Sequence, residues 1–195
     1  MNKSCWIAIA IPVVLAGCGT PKDAAEDQAA ATATAGDSVP GSEVGTTPTP
    51  QRATAILQTS DGKPAGTAIA TAVDGGVRLA LQVEGLPAGQ HGVHVHMIGK
   101  CDAPAFESAG SHWNPTDAKH GLDDPAGQHA GDMPNLVVEA DGSGALSYSL
   151  QGATFDGLLD SDGSAMLVHA AADDQKTDPS GNSGNRIACG VFKAS

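Results

Sequence analysis

The sequence predicts an all-β domain: an eight-stranded antiparallel Greek-key barrel or sandwich with two long functional loops. Short segments with alternating or β-branched residues recur throughout residues 51–195. Gly- and Asp-rich turn signals separate these segments, a pattern typical of antiparallel sandwiches and barrels. No segment shows a convincing helical period.

Eight segments carry a strand pattern, and VRLALQVE is the clearest because Val and Leu alternate with Arg, Ala, Gln and Glu. The predicted strands are residues 53–59, 66–73, 77–84, 91–97, 135–140, 145–150, 165–170 and 186–192. Two connections, residues 98–134 and 171–185, are too long for hairpins. Long loops in a compact domain usually carry function, so we expect the functional residues in or beside them.

The first 50 residues differ in composition from the rest. Residues 1–17 form a short apolar start, typical of a signal peptide and too short to span a bilayer. They end at LAGC, which resembles the bacterial lipobox; an ordinary secretory signal beside a coincidental cysteine is the alternative. Residues 18–50 would then be a lipidated Cys18 and a disordered tether. The expected location is the periplasmic side of the bacterial cell envelope. By resemblance to enterobacterial lipoproteins, Gly19 rather than aspartate after the cysteine favours anchoring in the outer membrane.

The domain predicted over residues 51–195 is acidic, with eight Lys and Arg against seventeen Asp and Glu, a net charge of −9 with neutral histidines. We expect no nucleic-acid binding, since there is no basic patch to pair with phosphates. Cys101 and Cys189 are the two cysteines of this domain. In an oxidising compartment they are expected to pair, and two thiolate metal ligands are the alternative.

Six of the seven histidines lie between residues 91 and 129. His94 and His96 are two residues apart on a predicted strand, so both imidazoles lie on one face and form half of a copper or zinc site. A polar strand edge without chemistry is the alternative reading of this pair. His91 has an odd spacing from His94 and is expected to be structural. His169 ends a later strand and could return to the same site.

The first long loop adds three more histidines and a carboxylate. Three imidazoles and one carboxylate have the composition of a closed, structural zinc site. The candidate ligands are His112, His120, His129 and Asp132.

Six motifs, spread in order over most of residues 51–195, together resemble the copper,zinc superoxide dismutases of the bacterial periplasmic branch. They are HGVHVH, SAGSHWNP, KHG, HAGDMPNL, LVHAAADD and GNSGNRIACGV. The resemblance implies an enzyme that dismutates superoxide to dioxygen and hydrogen peroxide through a copper redox cycle. It also implies one copper and one zinc ion per subunit, and it allows a homodimer.

The resemblance also implies a role for individual residues. Copper would be bound by His94, His96, His112 and His169. Zinc would be bound by His112, His120, His129 and Asp132. His112 would bridge the metals as an imidazolate and take part in proton transfer, and Arg186 would orient the small anionic substrate. Asp173 would link a copper ligand to a zinc ligand, and Cys101 and Cys189 would form a disulfide.

Two other functions are compatible with parts of the pattern. A periplasmic copper- and zinc-binding lipoprotein without turnover would use the same ligands. A disulfide-stapled structural domain would need none of them. For Arg186 taken alone, a surface salt bridge is the alternative role.

Overall fold

The computed structural model describes residues 49–195 and has the all-β architecture that the sequence predicts. Its ten strands are β1 (Arg52–Thr59), β2 (Pro64–Val73), β3 (Gly76–Val83), β4 (Gly89–His91), β5 (Val93–His96), β6 (Leu136–Val138), β7 (Gly144–Leu150), β8 (Ala165–His169), β9 (Arg186–Val191) and β10 (Lys193–Ala194). The predicted signal peptide, the lipid site at Cys18 and nearly all of the tether lie outside the described residues.

Helical structure within residues 49–195 is limited to two single turns. One is a 3-10 turn at Glu107–Ala109, and the other is α1 at Phe155–Leu158. Thr154 caps α1, because its side-chain oxygen accepts a hydrogen bond from the Gly157 N–H at 3.1 Å. Such short elements leave no helical period in a sequence, and neither is long and apolar enough to cross a membrane.

The structure divides the predicted strand 91–97 into β4 and β5 at Gly92. The Gly92 N–H donates to the Ala171 carbonyl at 2.8 Å, and the Gly92 carbonyl accepts from the His169 N–H at 2.8 Å. A Cβ at this position would come within 2.7 Å of the Ser183 Cβ. The chain therefore leaves one ladder here and approaches the second long loop closely, which only glycine allows.

The strands form one antiparallel sheet in the order β4-β6-β7-β3-β2-β1-β9-β8-β5, with β10 paired to β1. Although β4 and β5 stand at opposite ends of this order, only Gly92 separates them along the chain. The sheet must therefore curl until its ends meet, and it nearly closes as a barrel.

Side-chain alternation fills the interior of this barrel. On β3, Val77, Leu79 and Leu81 are buried, while Arg78 and Ala80 between them are exposed. On β5 and β8, by contrast, every residue is buried. These two strands lie under the long loops, so their outer face is covered as well as their inner face.

A disulfide between Cys101 and Cys189 joins the loop after β5 to β9. The thiolate-ligand alternative is therefore wrong, because both sulfur atoms are in the bridge. Beside it, Phe106 and Ala109 pack with Leu167 in a second small apolar cluster. This part of the loop is thus fixed against β8 and β9 by a covalent bond and by apolar packing.

Candidate metal centre

The first long loop packs on the outer face of β5, so its candidate ligands lie beside His94 and His96. His94 pairs as an isolated antiparallel bridge with Asp132, and His96 pairs in the same way with His112. The side chains of His94 and His96 are almost fully buried. The predicted half-site therefore lies beneath the loop rather than at an open strand edge.

Four imidazoles form the first group, whose donor atoms all lie within 4.8 Å of one another: His94, His96, His112 and His169. Within residues 49–195, each ring has one buried nitrogen without a hydrogen-bond partner. The other nitrogen of His96, Nδ1, donates to the Gly110 carbonyl at 2.9 Å. In the same way His169 Nδ1 donates to the Gly184 carbonyl at 3.1 Å. One nitrogen thus orients each of these rings and leaves the other free for a ligand.

Three imidazoles and a carboxylate form the second group, again with donor atoms within 4.8 Å of one another: His112, His120, His129 and Asp132. Asp132 Oδ1 lies 2.9 Å from Nδ1 of His112 and 3.2 Å from Nδ1 of His129. Nδ1 of His120 lies 3.1 Å from Asp132 Oδ2, yet it is not aligned for a hydrogen bond. The four donor atoms face a common point.

His112 belongs to both groups. Its Nδ1 faces Asp132 of the second group, and its Nε2 is one of the unpartnered nitrogens of the first. The ring stacks on His94 with a centroid distance of 3.8 Å. Opposite nitrogens of a single imidazole therefore serve two adjoining groups, as a bridging ligand requires.

Asp173 connects the two groups through hydrogen bonds to ring nitrogens that do not face the centre. Its Oδ2 accepts a hydrogen bond from His94 Nε2 at 2.6 Å, and its Oδ1 accepts one from His120 Nε2 at 3.1 Å. The carboxylate is buried. It accounts for the second nitrogen of one ring in each group, so both rings present Nδ1 to the centre. Outer-sphere hydrogen bonds of this kind commonly fix the tautomer and orientation of metal-binding histidines.

His91 stands apart from both groups, in agreement with its odd spacing. Its Nδ1 lies 2.7 Å from the His169 carbonyl, and its Nε2 lies 2.8 Å from the Pro87 carbonyl. Both ring nitrogens are thereby occupied by the backbone, and the side chain is buried. The structural role that the sequence predicts for His91 is confirmed.

Arg186 lies beside the first group and is held by the loop after β5. Its Nη1 donates to the Phe106 carbonyl and its Nη2 to the Gly110 carbonyl, each at 2.6 Å. The Gly110 carbonyl also accepts the bond from His96. Arg186 lines a cavity of about 570 Å³ that Glu107 lines as well. The simple surface salt bridge considered for Arg186 is wrong, since these partners are backbone carbonyls.

The buried imidazoles of the first group favour the neutral form. Burial lowers the pKa of His94 to about 3, although the hydrogen bond to Asp173 opposes this shift. Burial likewise lowers the pKa of His169 to about 4. The pKa values of His96 and His112 are also lowered, mainly by burial. Neutral rings keep the lone pairs that metal binding requires.

The second group carries charge. Burial opposes ionisation of Asp132, but its contacts with His112, His120 and His129 hold the pKa of the carboxyl well below its usual range. Burial also opposes protonation of His120, yet Asp132 and Asp173 outweigh this effect and raise its pKa to about 9. In the metal-free protein a proton on His120 thus compensates the buried carboxylates.

The donor sets fit two different metal ions. Buried polar atoms without partners are unfavourable unless something binds them, and the unpartnered ring nitrogens supply four ligands at one point. An all-imidazole set suits copper, while three imidazoles with one carboxylate suit a closed zinc site. The residues therefore fit a copper ion in the first group and a zinc ion in the second.

Fold and site together define a β-barrel protein with a paired metal centre that shares one imidazole, and comparison with known proteins gives the family. A family profile described as "Copper/zinc superoxide dismutase (SODC)" matches residues 64–192. The superoxide dismutase (Cu-Zn) of Caulobacter vibrioides is 43% identical over 148 residues, which are 72% of this chain and 85% of that protein. The chain belongs to the copper/zinc superoxide dismutase family.

Solved structures agree with this membership. The Cu/Zn superoxide dismutase from Brucella abortus has a TM-score of 0.61 at 26% identity, covering 73% of this chain and 99% of that one. A SOD-like protein from Bacillus subtilis has a TM-score of 0.64 at 38% identity, covering 71% and 96%. The observed barrel is thus the fold of known members of the family.

Sequence reasoning brought together the ligand candidates but missed the groups that position them. The Phe106 and Gly110 carbonyls are backbone atoms, which no side-chain pattern reveals. Gly181 was also missed. A Cβ at this position would collide with Asp173 Oδ1, so glycine is needed for the loop to pass this close to the carboxylate. The glycines of GNSGN were the available signal, since a close approach is one common reason for a loop glycine.

The metal-free protein is expected to lose stability as the pH falls from about 6.5 towards 4. Below the unfolded-state pKa of about 6.5, the unfolded chain binds protons that buried His94 and His169 resist. Each such group contributes a slope of about 1.4 kcal/mol per pH unit in this window. His120 has the opposite sign, and its contribution is lost as the pH rises through about 9. Urea unfolding at pH 4.5, 5.5 and 7 measures the effect, and equal free energies of unfolding would contradict it.

Proposed function

We propose that this protein converts superoxide to dioxygen and hydrogen peroxide at a centre that holds one copper and one zinc ion. The observation that carries the proposal is the sharing of His112 between two complete donor groups. In the overall reaction one superoxide is oxidised to dioxygen, and a second takes up that electron and two protons to give hydrogen peroxide. Bound copper supplies the one-electron redox chemistry, whereas zinc keeps a single oxidation state.

His112 has the geometry of a group that can hold a proton at the centre. Its Nδ1 is fixed on the side of Asp132, while its Nε2 faces the first group without a hydrogen-bond partner. The ring is buried and stacks on His94, so it keeps its orientation when the protonation of Nε2 changes. Asp173 holds the neighbouring His94 and His120 in position during such a change.

Arg186 binds and orients the anion. Two of the five N–H donors of its guanidinium are anchored on backbone carbonyls, and within residues 49–195 the others have no hydrogen-bond partner, so they are available to a ligand. A fixed charge with directed donors suits a small diatomic anion. Because steering depends on the local field rather than on net charge, an acidic domain is compatible with an anionic substrate.

The ligand set separates this proposal from metal binding without turnover. All seven ligand residues are present, and Arg186 accompanies them. A storage protein would need neither the anchored guanidinium nor the shared imidazole. A purely structural domain would leave the unpartnered ring nitrogens unexplained.

Superoxide removal by residues 51–195 loaded with copper and zinc tests the proposal. We expect activity in the parent protein and a loss of at least a hundredfold in His169→Ala, which removes one donor of the first group. Zinc content measured by atomic absorption is the control, because His169 is not part of the second group. Loaded protein without activity would favour metal buffering, and protein that binds neither metal would favour a structural role.

The charge of Arg186 gives a second test. Arg186→Glu is expected to keep both metals and to lose at least tenfold in kcat/KM, or about 1.4 kcal/mol, at low ionic strength. Arg186→Lys should lose less, since it keeps the charge but not the fork of donors. Arg78→Glu on the exposed face of β3 is the matched charge-reversal control and should retain the rate. An unchanged rate in Arg186→Glu would remove the substrate role.

We further propose that a lipid on Cys18 anchors the protein on the periplasmic side of the cell envelope, with the outer membrane favoured. The LAGC sequence and the low-complexity stretch that follows it support this location. The full chain should sediment with membranes, and Cys18→Ser should be soluble; equal distribution of the two would contradict the anchor. A homodimer, which the family resemblance allows, would double the mass found in analytical ultracentrifugation.

A further inference from the structure

Asn135 joins two segments of the chain that lead away from the metal groups. One segment follows Asp132, and the other follows His169. Asn135 lies three residues after Asp132, in the stretch that leads into β6. Its Oδ1 accepts a hydrogen bond from the Asp173 N–H at 2.7 Å, and its Nδ2 donates to the Asp173 carbonyl at 2.8 Å. One side-chain amide thus pairs with both backbone groups of one distant residue, like a rung between two strands.

The residue held in this way is the one whose carboxylate joins the two donor groups. Asp173 reaches His94 with one oxygen and His120 with the other. Its carboxylate can satisfy both rings only while its backbone stays in place, because a short side chain has little freedom of its own. The position of the Asp173 backbone therefore determines whether both bonds form.

Neighbouring bonds support the same contact. The Gln175 N–H donates to Asp173 Oδ1 at 2.6 Å, and the Gln175 side chain donates to the Met133 carbonyl at 3.3 Å. Residues 133–135 and 173–175 are thereby joined by several hydrogen bonds. Of these bonds, only the pair from Asn135 fixes the main chain of Asp173 itself.

We propose that Asn135 is a positioning residue that sets the orientation of His94 and His120 together, by acting through Asp173. The inference rests on one part of the proposed function, namely that both donor groups bind metal. Loss of the amide frees two backbone groups of Asp173 and loosens its carboxylate. One imidazole of each metal group then loses its fixed tautomer and direction, so binding of both metals weakens.

The expected effect is about tenfold weaker zinc binding in Asn135→Ala, at the lower end of the range for groups that act through a ligand. The dissociation constants for zinc and copper are measured by chelator competition on the full chain. The spectrum of Co²⁺ bound in place of zinc, and the electron paramagnetic resonance of bound Cu²⁺, should both shift. If circular dichroism shows Asn135→Ala to be unfolded, Asn135→Ser replaces it, since its hydroxyl is too short to reach both backbone groups.

A double-mutant cycle with Asp173→Ala separates this role from a general structural one. If Asn135 acts through Asp173, its substitution should weaken metal binding no further once Asp173 is alanine. Asn114 offers a matched control, because its amide makes the same paired contact with the backbone of Ala118, at 2.9 and 3.0 Å. Whatever effect Asn114→Ala has on zinc binding should persist in the Asp173→Ala background.

Two outcomes would overturn the inference alone: metal binding by Asn135→Ala as tight as in the parent, or a tenfold loss that persists in the Asp173→Ala background. A parent chain that binds neither metal would overturn the proposed function as well. The failure of the two proposals is therefore distinguishable in one set of titrations.

Discussion

The two-residue period of β5 is the constraint on which the rest of the centre depends. Val93 and Val95 point into the barrel and complete its core, which turns His94 and His96 to the outer face. That face can hold imidazoles only if it is covered, since an exposed pair would remain hydrated and mobile. The first long loop provides the cover and adds its own ligands, and the disulfide and the Phe106 cluster hold that loop down.

Burial means that the ring nitrogens need hydrogen-bond partners from the protein, and the surrounding groups supply them. A buried imidazole that has lost its water must find partners for two nitrogens. Backbone carbonyls or Asp173 occupy one nitrogen of His94, His96 and His169, and the remaining nitrogens converge. The same burial lowers their pKa values and keeps the rings neutral, so orientation and ligand chemistry have a common cause.

The strands could be predicted from periodicity, and the residues that come together in the two groups from their types, their spacing and the family resemblance. VRLALQVE became β3 with its alternation intact, and His94 and His96 share a face as their spacing requires. The break at Gly92 escaped prediction because it depends on backbone bonds to Ala171 and His169, far along the chain. Asn135 escaped for the same reason: an asparagine at the start of a predicted strand has no evident role until its distant partner, Asp173, is known.

The Gly110 carbonyl has a consequence for how this centre can change during evolution. That one oxygen accepts bonds from both His96 and Arg186, and its residue has φ 74° and ψ −151°, a conformation open almost only to glycine. A substitution that moves this oxygen would shift the His96 ring and the Arg186 guanidinium together. Changes at Gly110 therefore cannot move the guanidinium without disturbing the His96 ring, and changes that act on charge alone are expected at other positions, such as Glu107 in the cavity that Arg186 also lines.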